Sequence, residues 1–340
     1  MRLTAVSAAG LALLLAGCVS VPPRDAAAQD ALAACRAAPA SEHVLYFGPG
    51  KRLVDALPAA GSAPGNGFGS AFLTDELKGW LSEPVDAGLW LVGNVTLSFW
   101  ARSTGLPAPV VSPTTGEGYR FFNQFGSDQS LQPAYATEYG PPYEPAGTVT
   151  HYEERLEMPA GGFVVEKGQR VRVLLTDLAI EGQGGGGHDI LFGGDTPSQV
   201  RFTARCFPQF VWSGATIAHQ EILLPGNQGA VSQAAAREGV NRVRVEVPLP
   251  SDTSRLTIRL QQGSDANPVK DDIDLTLLDA NGEAVWQIGS PYANERGTLW
   301  QDNLELFHGH VTVQVDSYSG VAYQGRLTVV AEAARLPPPA

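Results

Sequence analysis

In four segments of the second half, aliphatic residues alternate strictly with polar ones, and this most constrains the fold. Val243, Val245 and Val247 alternate with Arg242, Arg244 and Glu246. Leu256, Ile258 and Leu260 alternate with Arg255, Thr257 and Arg259. Ile273, Leu275 and Leu277 alternate with Asp272, Asp274 and Thr276, and Val311, Val313 and Val315 with Thr312, Gln314 and Asp316. Side chains on a strand point to opposite faces in turn, so a period of two sends one face to a core and the other to water. Asp279-Ala280-Asn281-Gly282 is a turn between two such strands.

The first half follows the same logic with longer connections. Val95–Trp100, Arg170–Leu175 and Gln199–Cys206 are predicted strands; in the last, Val200, Phe202, Ala204 and Cys206 are expected to face inward. A segment from Thr104 to Pro145, dense in Pro, Gly, Tyr and Phe, reads as long loop. Helical periodicity is nearly absent while Gly and Pro occur throughout, which together predict an all-β fold of two β-sandwich domains. The boundary is expected near Pro208. The composition carries a net charge of −12, which argues against nucleic acid and against a polybasic hold on anionic lipid.

The amino terminus has Arg2, an apolar run from Leu3 to Gly17, and Leu15-Ala16-Gly17-Cys18. The run is too short for a membrane span of roughly 20 residues but has the layout of a secretory signal peptide. The tetrapeptide resembles the lipobox of bacterial lipoproteins. That resemblance implies cleavage before Cys18, lipid on its sulfur, and attachment to the cell envelope through the acyl chains. Val19 stands where an aspartate would favour inner-membrane retention, so the same resemblance points to the outer membrane. The expected organisation is a signal peptide over 1–17, lipidated Cys18 and a flexible tether over 18–41, a first sandwich over 42–208, a second over 209–333 and a disordered tail over 334–340. Within the tether, Asp25 to Ala38 could form a loose helix. Cys35 and Cys206 remain once Cys18 is lipidated; an even pair in an oxidising compartment suggests one disulfide. The alternative is two separate thiols, Cys35 exposed and Cys206 buried.

The first half resembles the C-terminal jelly-roll domain of the CocE/X-prolyl dipeptidyl-peptidase hydrolases. The matching stretches are Phe72-Leu73-Thr74 with Leu77, Leu91-Val92-Gly93 before Val95–Phe99, Phe163–Val173, and Phe192-Gly193-Gly194 through Pro197-Ser198. The resemblance implies a galactose-binding-like jelly roll over roughly 68–207. Those enzymes carry an α/β-hydrolase domain ahead of the module, and this chain has no Gly-x-Ser-x-Gly elbow, so their activity does not carry over. The second half resembles the pre-peptidase C-terminal and P-type sandwiches of secreted proteases. It does so through Asp272–Asp279, Asn281-Gly282, Ser290-Pro291, Glu295 and Val311–Asp316.

Candidate sites are sparse. Asp271, Asp272, Asp274 and Glu295, with Asp302 as a further oxygen donor, suit calcium, which takes six to eight oxygens in irregular loops. The alternative is a solvated acidic face, and no other cofactor is expected. Tyr119, Phe122, Tyr135, Tyr139 and Tyr143 could stack on a sugar or anchor a partner, or fold back against the sandwich. His188-Asp189 lacks a partner nucleophile, and His308-Gly309-His310 suits a turn better than a metal cage. The expected function is a non-catalytic envelope lipoprotein binding a ligand, glycan or protein. The alternatives are a hydrolase with a cryptic site and a purely structural component.

Overall fold

A computed structural model of the protein describes residues 25–67, 79–105, 118–140, 144–158, 161–177, 187–223, 242–262, 273–288, 295–317 and 324–338. The fold is all-β. In the first half the strands are β1 Ser41–Gly48, β2 Arg52–Val54, β3 Gly61–Pro64, β4 Asn66–Gly67, β5 Trp80–Pro84, β6 Gly88–Ser103, β7 Gly118–Ser127, β8 Ser130–Gly140, β9 Val149–Glu157, β10 Phe163–Val165, β11 Arg170–Asp177, β12 His188–Phe192 and β13 Gln199–Phe207. They join in one hydrogen-bonded path, β3-β12-β6-β13-β1-β2-β5-β11-β7-β8, with β9 and β10 on β6 and β4 on β11. The path folds back on itself. Leu91, Leu97 and Phe99 of β6 and Phe47 of β1 share a core with Val173 and Leu175 of β11 and Phe121 and Phe125 of β7. The 16-residue β6 makes this possible, because it pairs β10, β9, β12 and β13 along its length.

In the second half the strands are β14 Val211–Leu223, β15 Val243–Pro248, β16 Arg255–Gln262, β17 Ile273–Leu278, β18 Ala284–Ile288, β19 Glu295–Trp300, β20 His310–Ser317 and β21 Gln324–Arg335. They form two four-stranded sheets, β14-β21-β16-β19 and β15-β20-β17-β18. The alternating aliphatics meet between them: Leu256, Ile258, Leu260, Leu327 and Val329 from one sheet, and Leu275, Leu277, Val313 and Val315 from the other. Each such side chain contributes about 1.5–3 kcal/mol by leaving water. The turn at Asp279 forms as its residues require. Its Oδ1 accepts from the amides of Asn281 and Glu283, both at 2.9 Å, and Gly282 takes the positive φ of 81°.

Four expectations are refined or corrected. The helix allowed for over Asp25 to Ala38 forms over Ala26–Ala37, in a segment read mainly as tether; this helix, α1, is capped by Asp25, whose Oδ1 accepts from the Ala27 amide at 3.0 Å. Its Ala28 and Leu32, four residues apart, bury one side of it against the body. Second, the segment read as loop contains the β7–β8 hairpin, turning at Asp128-Gln129. Third, Cys206 does not face inward. Phe207 takes the buried position instead, so the alternation slips at the strand's end and Cys206 turns outward. Fourth, β21 runs to Arg335 with Ala334 buried, so the second sandwich extends two residues past its expected end at 333.

Candidate functional site at the seam between the sandwiches

The chemistry-bearing side chains gather where the two sandwiches and α1 meet. Leu32 of α1 packs with Trp90 of β6, Phe207 of β13 and Trp300 of β19, flanked by Phe210 and Trp212. The Trp90 and Trp300 rings meet edge to face, 4.5 Å between centroids. The Trp90 indole Nε1 donates to the Gly161 carbonyl at 3.0 Å. Gly162, beside it, has φ 77°, and a Cβ there would stand 2.3 Å from the Leu91 carbonyl oxygen, so only glycine lets the chain pass. One turn after Leu32, Arg36 reaches the helix α2, Gln301–Leu304, and pairs with Asp302. Its guanidinium lies 5.9 Å from the Trp90 ring, and Arg205 Nη1 donates to the Arg36 carbonyl at 2.6 Å. Burial raises the Asp302 pKa above the carboxylate's ordinary value; Arg36 opposes this and Glu305 adds to it.

Covalent and ionic ties complete the seam. Cys35 and Cys206 are joined by a disulfide, their Cα atoms 5.3 Å apart, which fastens α1 to β13. Arg255 of β16 binds Glu332 of its own sandwich, Nε to Oε2 at 2.6 Å, and Glu166 of the first sandwich through Nη1. Its guanidinium stacks 4.2 Å from the Trp212 ring, and Trp212 Nε1 donates to Glu166 at 3.0 Å. A void of about 10 Å³ remains among Leu32, Phe207, Trp212 and Trp300, room for at most one water. Around Leu32 and Trp300 the seam is thus packed as a structural joint.

Of the residues singled out in the sequence, Cys35 and Cys206 are brought together as the disulfide, while the calcium and aromatic sets fall largely outside the described residues and side chains. Cys18, Asp271, Asp272 and Tyr143 lie outside the described residues. Tyr119, Phe122, Tyr135 and Tyr139 fall on the β7–β8 hairpin, with Tyr119 opposite Tyr139, Phe122 opposite Thr137 and Tyr135 opposite Gln124; their side chains lie outside the description. Their neighbours Phe121 and Phe125 are buried in the core. Glu295 opens β19, its side chain also outside the description. Asp274 is buried on β17, opposite Asp316 of β20, and accepts from Gln287 Nε2 at 3.3 Å. Asp316 in turn binds Arg242 at 2.6 Å and Gln314 at 2.7 Å. Asp302 is engaged by Arg36, on the seam. Among the described residues no three or more His, Cys, Asp or Glu side chains gather as metal ligands would.

Two histidine clusters were not legible in the sequence. His188 is sealed in the first core, its Nε2 3.0 Å from Glu144 Oε2, while Thr150 donates to the other oxygen of that carboxylate at 2.9 Å. At 1% exposure the imidazole cannot meet a substrate. Nearer the surface, Ser98 Oγ and His151 Nε2 lie 2.8 Å apart on paired strands β6 and β9, with the Trp100 ring 4.6 Å from the imidazole. A serine nucleophile needs this contact. It also needs a third group orienting the base and free amides to hold an oxyanion. The adjacent amides lie in ladder strands, and no acid bonds the far ring nitrogen among the described residues. His308 and His310 are exposed around the turn that follows a 3₁₀ turn, and His308 takes φ 46°.

No family model and no curated protein matches this chain. Among solved structures, it is similar to a CocE/NonD family hydrolase from Staphylococcus aureus at 13% identity and TM-score 0.34, over 48% of this chain and 37% of the hydrolase. An aminopeptidase from a marine sediment Thaumarchaeota archaeon gives 11% identity over 48% and 37%, also at 0.34. The CBM22-1-CBM22-2 tandem domain from Paenibacillus barcinonensis gives 9% identity over 70% and 78%, at 0.21. This chain thus spans little more than a third of the length of the hydrolase and the aminopeptidase.

Proposed function

We propose that this protein is a non-catalytic envelope lipoprotein whose two β-sandwiches, joined as one body, bind a ligand, glycan or protein partner at the outer membrane. The observation that carries the reading is the fastening of α1. Seven residues after Cys18, the helix begins under its Asp25 cap, and it is tied to the first sandwich by the Cys35–Cys206 bond and to the second by Arg36 and Asp302. A chain bound to lipid at Cys18 would carry both sandwiches from that one joint. Two or more acyl chains would hold it stably. In a detergent phase-separation assay the mature protein is expected in the detergent phase, and Cys18→Ser in the aqueous phase with its signal peptide retained. Unchanged partitioning of the variant would defeat the lipoprotein reading. A hydrolase reading has one supporting observation, the Ser98–His151 contact; covalent labelling of Ser98 by a fluorophosphonate would favour it over the binding role.

A further inference from the structure

The second sandwich has a pocket of about 200 Å³ at one end, where the connection from β15 to β16 passes α2 and the 3₁₀ turn Glu305–Phe307. The Leu249 amide donates to the Gly309 carbonyl at 2.8 Å and pins the two segments together. The Thr253 amide donates to the Pro250 carbonyl at 3.0 Å, which closes the connection into a turn. His308, with φ 46°, and Gly309, with φ 93°, reverse the chain into β20 and leave His308 in the pocket wall. At about 30 Å³ per water, the space would hold about six or seven waters, enough for one sugar ring.

The charges around this pocket select a cation. Glu305 and His308 both line it, are exposed, and make no hydrogen bond or ion pair among the described residues. Asp302, beside Gln301 in the same helix, is taken by Arg36, so Glu305 is the acid left at the pocket. None of the described lining residues is a lysine or arginine, and the chain carries a net charge of −12. The local field and that of the whole molecule therefore attract the same sign of ligand. The remainder of the wall is partly hydrocarbon, with Leu304 buried and Leu249 and Pro250 half-buried.

Thr253 identifies what the cation carries with it. This wall residue is 2% exposed, and its hydroxyl has no hydrogen-bond partner among the described residues. A buried hydroxyl without a partner costs stability, so its place in a pocket wall calls for a ligand atom to complete it. A plain alkylamine would answer Glu305 and leave Thr253 unmet. A ligand with an ammonium at one point and hydroxyls at others answers both, and the apolar face of a sugar ring suits Leu249, Pro250 and Leu304. Gln301, also in the wall, exchanges hydrogen bonds with Gln29 of α1 at 3.3 and 3.4 Å, so its amide is held in place before a ligand arrives.

We propose that this pocket binds an amino sugar with a free ammonium group, which Glu305 receives while Thr253 meets a sugar hydroxyl. The proposal rests on the binding-protein reading and names a ligand class for it. The test is isothermal titration calorimetry of the mature protein with glucosamine, compared with N-acetylglucosamine, glucose and butylamine. Glucosamine should bind saturably. N-acetylglucosamine and glucose, which lack the charge, should bind at least about tenfold more weakly, the loss of one charge-assisted hydrogen bond. Glu305→Gln should remove that preference. Thr253→Val should weaken glucosamine binding about three- to tenfold without lowering the unfolding midpoint of the ligand-free protein, because its hydroxyl has no partner there to lose. No binding of glucosamine, equal binding of N-acetylglucosamine, a preference that survives Glu305→Gln, or butylamine binding as tightly as glucosamine would each overturn the proposal. A lower midpoint for Thr253→Val would show that the hydroxyl serves the fold, and would overturn it as well. None of these results touches the lipoprotein reading, which the partitioning of Cys18→Ser tests without any sugar.

Discussion

Replacing Arg255 by alanine should loosen the two sandwiches from one another. The guanidinium is 18% exposed, and its two carboxylates, Glu166 and Glu332, are 24% and 13% exposed. Removing it strands two half-desolvated charges from different sandwiches and strips the Trp212 ring of its cation. Breaking a fully buried pair costs about 3–5 kcal/mol. Solvent reaches all three groups here, so screening lowers the expected loss to about 2–3 kcal/mol. At about 2–4 °C per kcal/mol for a unit of this size, the midpoint should fall by about 5–10 °C. Scanning calorimetry should show more than the shift: a variant that severs the tie between sandwiches should separate one transition into two. A double-mutant cycle with Glu166→Gln should return a coupling of at least about 1 kcal/mol. A loss under about 1 kcal/mol with a single sharp transition would refute the view that this guanidinium joins the two cores.

Two further outcomes follow from the seam. The Cys35–Cys206 bond spans 171 residues, for which the chain-entropy model gives about 5 kcal/mol. Replacing both cysteines by serine should lower the urea midpoint by about 2–5 kcal/mol worth of stability, and reductant should do the same to the wild type alone; an unmoved midpoint would deny the bond a stabilising role. Because burial raises the Asp302 pKa above its ordinary 3.8, its contribution to stability is full below that value and is lost as pH rises through the folded-state pKa. Asp302→Asn should therefore match or exceed the wild type at pH 7 and lose that advantage at pH 3. The opposite pH trend in thermal melts would mean that the Arg36 pairing outweighs desolvation.

The second sandwich was legible because each of its core strands obeys one rule. Leu256, Ile258 and Leu260 sit on one face, in the core, and alternate with polar residues on the other. The β7–β8 hairpin was hidden because it breaks that rule. Asn123 and Gln124 are both buried, and Asn123 spends its amide on Glu154 at 2.6 Å, so polar residues occupy inward positions and the alternation disappears. Pro133 completes the disguise, tolerated because β8 ends the sheet path and an edge strand can spare an amide. The seam was illegible for a different reason. Leu32, Trp90, Phe207 and Trp300 come from four distant segments, and the helix that binds them offers only Ala28 and Leu32 as buried residues, too thin a stripe to announce a docked helix. The disulfide was readable from the cysteine count, but the outward turn of Cys206 depends on Phe207 claiming the interior. The pocket at Thr253 and Glu305 needed the approach of two separate connections, which neither segment's local sequence contains.

The position of the disulfide also sets how the molecule carries mechanical load. A pull arriving at Asp25 would run along α1 and, at Cys35, divide between the peptide chain leading to β1 and the sulfur bridge leading to Cys206. The bridge delivers force to the end of β13, an interior strand hydrogen-bonded along both edges, to β1 on one side and β6 on the other. Such a strand cannot be peeled away one bond at a time from an open edge; drawing it out means sliding two ladders at once. The first sandwich therefore takes part of the tension through a strand held on both edges, and that part bypasses the chain between Cys35 and β1.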